Sequence, residues 1–222
     1  MAKVFLSAGH GGSDPGAVAY GLKEKDINLQ TLLACHNELV RHGVVVLCSR
    51  MTNENDPVTE EVKEANASGA DIAVSFHANA GGGDGFEVFY NTTKTNSKKL
   101  AGLTEKYVKQ LGQNSRGLKS GDKLYFIRNT TMPAVLVESF FLDNAKDKTI
   151  GDTLSKQESF GVAYAKAILE YLGVAYVNTS NSTQSEKMYR VQVGAFKVKT
   201  NAENMLKKVK DAGFSDAFIV SQ

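Results

Sequence analysis

Four residues of this 222-residue chain are of types that could together do hydrolytic chemistry. His10 follows the apolar run KVFLSA (3–8), and Glu24 lies in the loop that leaves it. His77 comes at the end of another such run, ADIAVSFHAN (70–79). Two imidazoles and one carboxylate make a catalytic zinc set, and they leave the fourth coordination position to water. Glu138 closes a further apolar run, AVLVES (134–139). A carboxylate inside PAVLVESFF is costly to bury unless it is paired or functional. Beside a zinc-bound water it could act as general base, then pass the proton to a leaving amine. Taken singly these signals are weak. A lone His in a Gly-rich loop is usually structural or solvated, and a lone Glu at a strand end is usually a cap. Their joint placement is what gives them weight.

The elements that must position them follow from hydrophobic patterning. KVFLSA, VVVLC (44–48), ADIAVSFHAN, FEVFY (86–90), LYFIR (124–128) and AVLVES read as strands, FEVFY as one at a sheet edge. Helices are predicted from Asp26, as a cap, to about Arg41, and over about 57–68, 96–112 and 152–172, the last ending at Gly173. Strands that are solid Val/Ile/Leu runs and alternate with helices imply an α/β fold. Its sheet is expected to be mainly parallel, twisted and covered by helices on both faces. Functional sites in such sheets collect beyond the C-terminal strand ends, and all four residues fall there.

Composition narrows the class. Hydrophobic residues are 42% and charged residues 23% of the chain, so a substantial core can be buried. A net charge of +2 excludes polyanion binding by charge alone, and no nucleic-acid partner is expected. The Gly-rich loops GHGGSDPG and GGGDG match neither GxGxxG nor GxxxxGK[ST], which makes a nucleotide site improbable. Cys35 and Cys48 stand in no metal-ligand spacing and read as buried free thiols, with a disulfide between them as the alternative. No apolar run is long enough for membrane insertion. Met1 leads straight into KVFLSA with no leader pattern, so synthesis in the cytoplasm without a signal peptide is expected, with action on an outside target after release.

The stretch SAGHGGSDPGA, then Glu24, then SFHAN with His77 and Asn79, then MPAVLVESFFLDN with Glu138, resembles the zinc N-acetylmuramoyl-L-alanine amidases of the Amidase_3 family. The resemblance spans roughly residues 3–173 and includes RGLK (116–119). It implies that His10, Glu24 and His77 ligate zinc and that Glu138 is the catalytic base. The implied substrate is peptidoglycan, cut at the amide between muramic acid and L-alanine of the stem peptide. Asn79 is a candidate to orient substrate, although Asn beside a Gly-rich loop is as often a turn residue. Arg116 and Lys119 are candidates to meet the acidic stem peptide, and solvated loop charges are the equal alternative. The family pattern E-x-G-F becomes Glu138-Ser139-Phe140-Phe141 here, and the Phe in place of Gly is expected to narrow or reshape the pocket wall. A stem-peptide zinc peptidase on a related sheet is the alternative activity. The setting suggested is a phage or prophage endolysin, with a sporulation autolysin as the other.

The C-terminal part is different in kind. Residues 175–188 (AYVNTSNSTQSEKM) are Asn/Ser/Thr-rich and read as a linker that separates a catalytic domain (1–174) from residues 189–222. This last segment holds six Lys/Arg against three acidic residues and reads as one βαβ unit. It resembles half of a SPOR domain, a family that binds peptidoglycan glycan strands. A lone unit of this size buries too little to be stable by itself. Two chains are therefore expected to pair their halves across a two-fold axis, making a homodimer.

Overall fold

In a computed structural model, residues 2–178, 199–214 and 218–219 are described. The chain divides into two units, Met1–Val177 and Asn178–Gln222. The first is built on a six-stranded sheet of strands Lys3–Ala8 (β1), Val45–Cys48 (β4), Ile72–Asn79 (β5), Phe86–Tyr90 (β6), Ser115–Ser120 (β7) and Ala134–Phe141 (β8). The order is β4-β1-β5-β8-β6-β7. Every pairing is parallel except β6 with β8. A two-residue hairpin, Val18–Ala19 (β2) with Leu22–Lys23 (β3), sits in the loop after β1.

Helices cover both faces, as solid apolar strands require. On one face lie Glu24–Arg41 (α1), Thr95–Lys109 (α3) and Leu154–Leu172 (α5), over a core that includes Val4, Leu6, Val74, Val137, Leu32 and Tyr164. Helix α5 ends as predicted, on Gly173 with φ 72°. At Gly161 of α5 the α1 backbone passes so close that a Cβ would lie 2.5 Å from the Thr31 carbonyl oxygen. The other face carries Val58–Ala67 (α2) and Tyr125–Asn129 (α4) over Phe5, Ala73, Ala134 and Leu136. Cys35 and Cys48 are free thiols, Cys35 fully buried.

Three expectations are corrected. LYFIR is helical rather than extended: Phe126 and Ile127 are consecutive and both buried against α2, which a strand with alternating faces cannot achieve. The edge position falls to β7, drawn from SRGLKS, so FEVFY is an inner strand between β8 and β7. Helix α1 starts at Glu24, two residues before Asp26, and its flanking residue Lys23 makes no side-chain cap.

In the second unit, Lys199–Asp211 (α6) is the described element, ending near Gly213 with φ 102°. The expected strands at 189–196 and 216–220, and most of the linker, lie wholly or partly outside the described residues. Among the described residues, no helix is long and apolar enough to cross a membrane.

Candidate metal centre

The site forms at the C-terminal edge of the sheet, where β1 and β5 run side by side. His10 stands in a Gly-rich turn with φ 65°, a left-handed conformation that a side chain adopts at a cost. The turn is held from several sides. Gly11 and Asp14 exchange backbone hydrogen bonds of 3.0 and 2.9 Å. Asp14 Oδ1 accepts from the Gly16 N–H, and Asp14 Oδ2 lies 2.8 Å from His10 Nδ1. That bond makes Nδ1 a donor and turns Nε2 toward the site. Arg50, 2% exposed, reaches under the turn and donates to the carbonyl oxygens of Ala8, Gly9, Thr52 and Lys25.

Glu24 is the first residue of α1. Its Oε2 accepts from the Ala17 N–H at 2.9 Å, which turns Oε1 to the imidazoles. Oε1 lies 3.2 Å from His10 Nε2 and 2.9 Å from His77 Nδ1. Gly16, at φ +62°, allows this approach, since a Cβ there would come within 2.7 Å of Glu24 Oε2. His77 is on β5 rather than past its end, and its ring occupies the space where a side chain at Gly9 would stand. Asn28, one turn along α1, bonds the Gly9 carbonyl and lies 3.5 Å from Glu24 Oε1.

The electrostatics fit a cation. Burial alone would push the Glu24 carboxyl up, but hydrogen bonds from both imidazoles and from Ala17 outweigh it, and it is held far below the usual carboxylate range. The same Glu24 hydrogen bond raises His10 to about 9, against a smaller lowering by burial. His77 is raised as well: its burial opposes the charge, and Glu24 and Glu138 overcome that. An anionic centre that draws positive charge onto two imidazoles is one that a dication would satisfy. His10, Glu24 and His77 each offer a ligand atom within 4.8 Å of the others, a set that could hold a metal ion.

Glu138 lies within β8, not at its end, directly beside His77 in the parallel ladder and opposite Glu87 of β6 in the antiparallel one. Among the described residues its Oε2 is buried without a hydrogen-bond partner. Burial raises its carboxyl to about 7, with the nearby carboxylates adding to the rise and His77 opposing it. An orphaned buried acceptor beside three converging ligand atoms is the signature of a group whose partner arrives with metal or substrate.

The remaining expected residues gather to one side. Asn79 donates to Glu87 Oε2 at 3.1 Å, and its Oδ1 accepts from the Ala80 N–H. Arg116 Nε donates to Glu87 Oε1 at 2.7 Å, and Lys119 Nζ is 4.0 Å from the same oxygen. Phe140 does not line this region, contrary to expectation. The β5–β8 register shifts between the pairs His77–Glu138 and Asn79–Phe141. This bulge turns both Ser139 and Phe140 to the α5 face, where Phe140 stacks on Phe160 and fills the space above Gly151. Sequence reasoning missed Asp14, Asn28, Arg50 and Glu87. The Asp within GHGGSDPG was the one available signal among them.

A family model described as N-acetylmuramoyl-L-alanine amidase matches residues 4–170, and one for the SPOR domain matches residues 163–221. The chain is 35% identical to the N-acetylmuramoyl-L-alanine amidase CwlM of Bacillus licheniformis, over 99% of this chain and 85% of that protein. It is 32% identical to the sporulation-specific N-acetylmuramoyl-L-alanine amidase of Bacillus subtilis, with the same coverage. The catalytic domain of the amidase CwlV from Bacillus (Paenibacillus) polymyxa superposes with a TM-score of 0.74 at 34% identity, over 79% of this chain and all of that one.

Proposed function

Since the chain belongs to the Amidase_3 family of N-acetylmuramoyl-L-alanine amidases, we propose that it hydrolyses peptidoglycan at the amide joining N-acetylmuramic acid to L-alanine, using His10, Glu24 and His77 to hold zinc and Glu138 as base. The observation that carries the residue assignment is the convergence of His10 Nε2, Glu24 Oε1 and His77 Nδ1 beside the unpartnered Oε2 of Glu138.

When bound, zinc supplies Lewis-acid polarisation of the scissile carbonyl and lowers the pKa of a water to about 7. The protein does the rest. Asp14 fixes the His10 ring and Ala17 fixes the Glu24 carboxylate, so the ligand atoms are aimed before anything binds. Glu138 takes a proton onto Oε2 as the water oxygen attacks the lactyl carbonyl carbon. The same oxygen then delivers that proton to the L-alanine nitrogen as the C–N bond breaks. A carboxyl raised to about 7 suits a group that must both accept and return a proton near neutrality. Asn79, Arg116 and Lys119 are assigned to the substrate side of the site.

In this reading residues 1–174 are the catalytic domain, 175–188 a connector and 189–222 the glycan-binding segment; the SPOR match, over residues 163–221, supports a glycan-binding C-terminal part without setting these bounds. Phe214, Phe218 and Ile219 are exposed in this segment. A second chain's segment covering them would make the homodimer, and light scattering that finds a monomer at micromolar concentration would refute it. The activity is tested on purified cell walls. The untreated chain should clear them and release L-alanine amino termini, EDTA should stop this and zinc restore it. Glu138→Gln should fold, retain zinc and lose on the order of 10²–10⁴-fold in rate. Clearing without new L-alanine termini, or full activity in Glu138→Gln, would overturn the assignment.

A further inference from the structure

Glu138 has a second carboxylate across from it. Glu87 of β6 is its direct partner in the antiparallel ladder, and opposed residues share a sheet face. Glu87 is only 9% exposed. Two carboxylates this close repel unless one is neutralised, and the structure is arranged to neutralise Glu87. Arg116 Nε holds Oε1, the Asn79 amide holds Oε2, and Lys119 stands at 4.0 Å.

Arg116 reaches Glu87 because β7 is bulged. Its register with β6 slips between the pairs Phe86–Ser115 and Val88–Leu118, which leaves one extra residue in β7. Gly117, at φ +87°, supplies the left-handed turn the bulge needs, in open space where no contact requires a glycine. The Arg116 guanidinium then lies over the Phe141 ring, 5.2 Å from its centroid. It is held at Nε and set against the Phe141 ring, while the side chain stays 43% exposed. Its two terminal nitrogens have no hydrogen-bond partner among the described residues. Such a fork, held from behind and open in front, is the shape that takes a carboxylate through two parallel hydrogen bonds.

We propose that Arg116 binds a carboxylate of the stem peptide, and that Glu87 is the positioning residue that sets it, with Phe141 as its floor. This rests on the amidase reading above and adds to it a determinant of substrate choice. A simple edge-strand ion pair would leave catalysis indifferent to stem carboxylates. The inferred arrangement makes it discriminate.

The test uses the full chain loaded with zinc and soluble muropeptides released from walls by a muramidase. One set has its stem carboxylates free, and the other has them converted to carboxamides. Release of L-alanine amino termini gives kcat and KM for each, and circular dichroism and zinc content show that every variant is folded and loaded. The wild-type chain should favour the free carboxylates by about tenfold in kcat/KM, carried by KM, the lower range for a charged hydrogen bond at a half-exposed site. Arg116→Ala should bring that ratio to about one, and Arg116→Lys should restore part of it. Glu87→Gln should lower the ratio with Arg116 still in place. A wild-type ratio of one, or a ratio that survives Arg116→Ala, overturns the inference, and a ratio untouched by Glu87→Gln overturns the positioning role. A wild-type chain that releases nothing from either set overturns the amidase reading itself.

Discussion

Gly9→Ala should disable the metal centre without touching a ligand. Gly9 has no unusual backbone angle, so alanine is not excluded by conformation. It is excluded by His77, whose ring the new methyl would enter: the Cβ would stand 2.0 Å from Cε1, 2.2 Å from Nε2 and 2.8 Å from Nδ1. Ordinary contact begins at 3.4 Å, so the ring must retreat by about 1.4 Å. A metal site tolerates ligand-distance errors of only about 0.2 Å. His77 Nδ1 is therefore lost as a ligand rather than weakened. Removing a group that merely orients a ligand costs about 10- to 100-fold in affinity, so losing the ligand should cost at least about 100-fold, near 2.7 kcal/mol. The added methyl should also cost the metal-free fold about 1–3 kcal/mol by overpacking. Competition with a chromophoric chelator reads the affinity, and thermal melting of the metal-free chain reads the fold. Zinc bound within threefold of wild type, on a folded protein, would refute the assignment of His77 Nδ1 to the metal.

Asp14→Ala frees the His10 ring and should weaken zinc about tenfold, the lower end for an orienting carboxylate because Asp14 is largely exposed; the same chelator competition checks it. Glu61 is buried on α2 with Ser7 donating to its Oε2 at 2.6 Å, and burial raises its carboxyl above the ordinary value. The fold thus favours the protonated form, so this contribution to stability is present below the unfolded pKa and is lost as pH rises through the raised folded one. Glu61→Gln should therefore gain on wild type between pH 4 and pH 8 in urea unfolding, and an equal difference at both pH values would contradict the cause given.

Most of the sheet, its longer helices and the four principal residues were legible because each rests on local pattern, whereas SRGLKS carries no strand pattern and LYFIR imitates one. Val-rich runs give strands, and GHGG, SFHAN and LVES mark residues that those strands bring to one edge of the sheet, although His77 and Glu138 lie within their strands rather than past them. What escaped depends on partners that only the assembled chain supplies. Arg50 acts through backbone carbonyls, which leave no trace in residue types. Glu87 reads as the outward polar residue of FEVFY until β6 is known to lie beside β8. Phe140 was misassigned for the same reason, because a bulge reverses which way it faces and turns a supposed wall residue into core.

The four principal residues are not anchored alike. His77 and Glu138 belong to adjacent paired strands, about 4.8 Å apart by the spacing of any sheet, so their separation is fixed by the ladder itself. His10 and Glu24 come from the Gly-rich turn and from the start of a helix, and the turn is held by bonds from Asn28 and Arg50 to its backbone and from the Ala17 N–H to Glu24. A bound ion would therefore stitch a loop to a floor. Its departure should loosen residues 9–24 and leave β5 and β8 as they are. The cost of emptying the site would fall on the turn, and the chain could lose and regain an ion without rebuilding the half of the centre that holds His77 and Glu138.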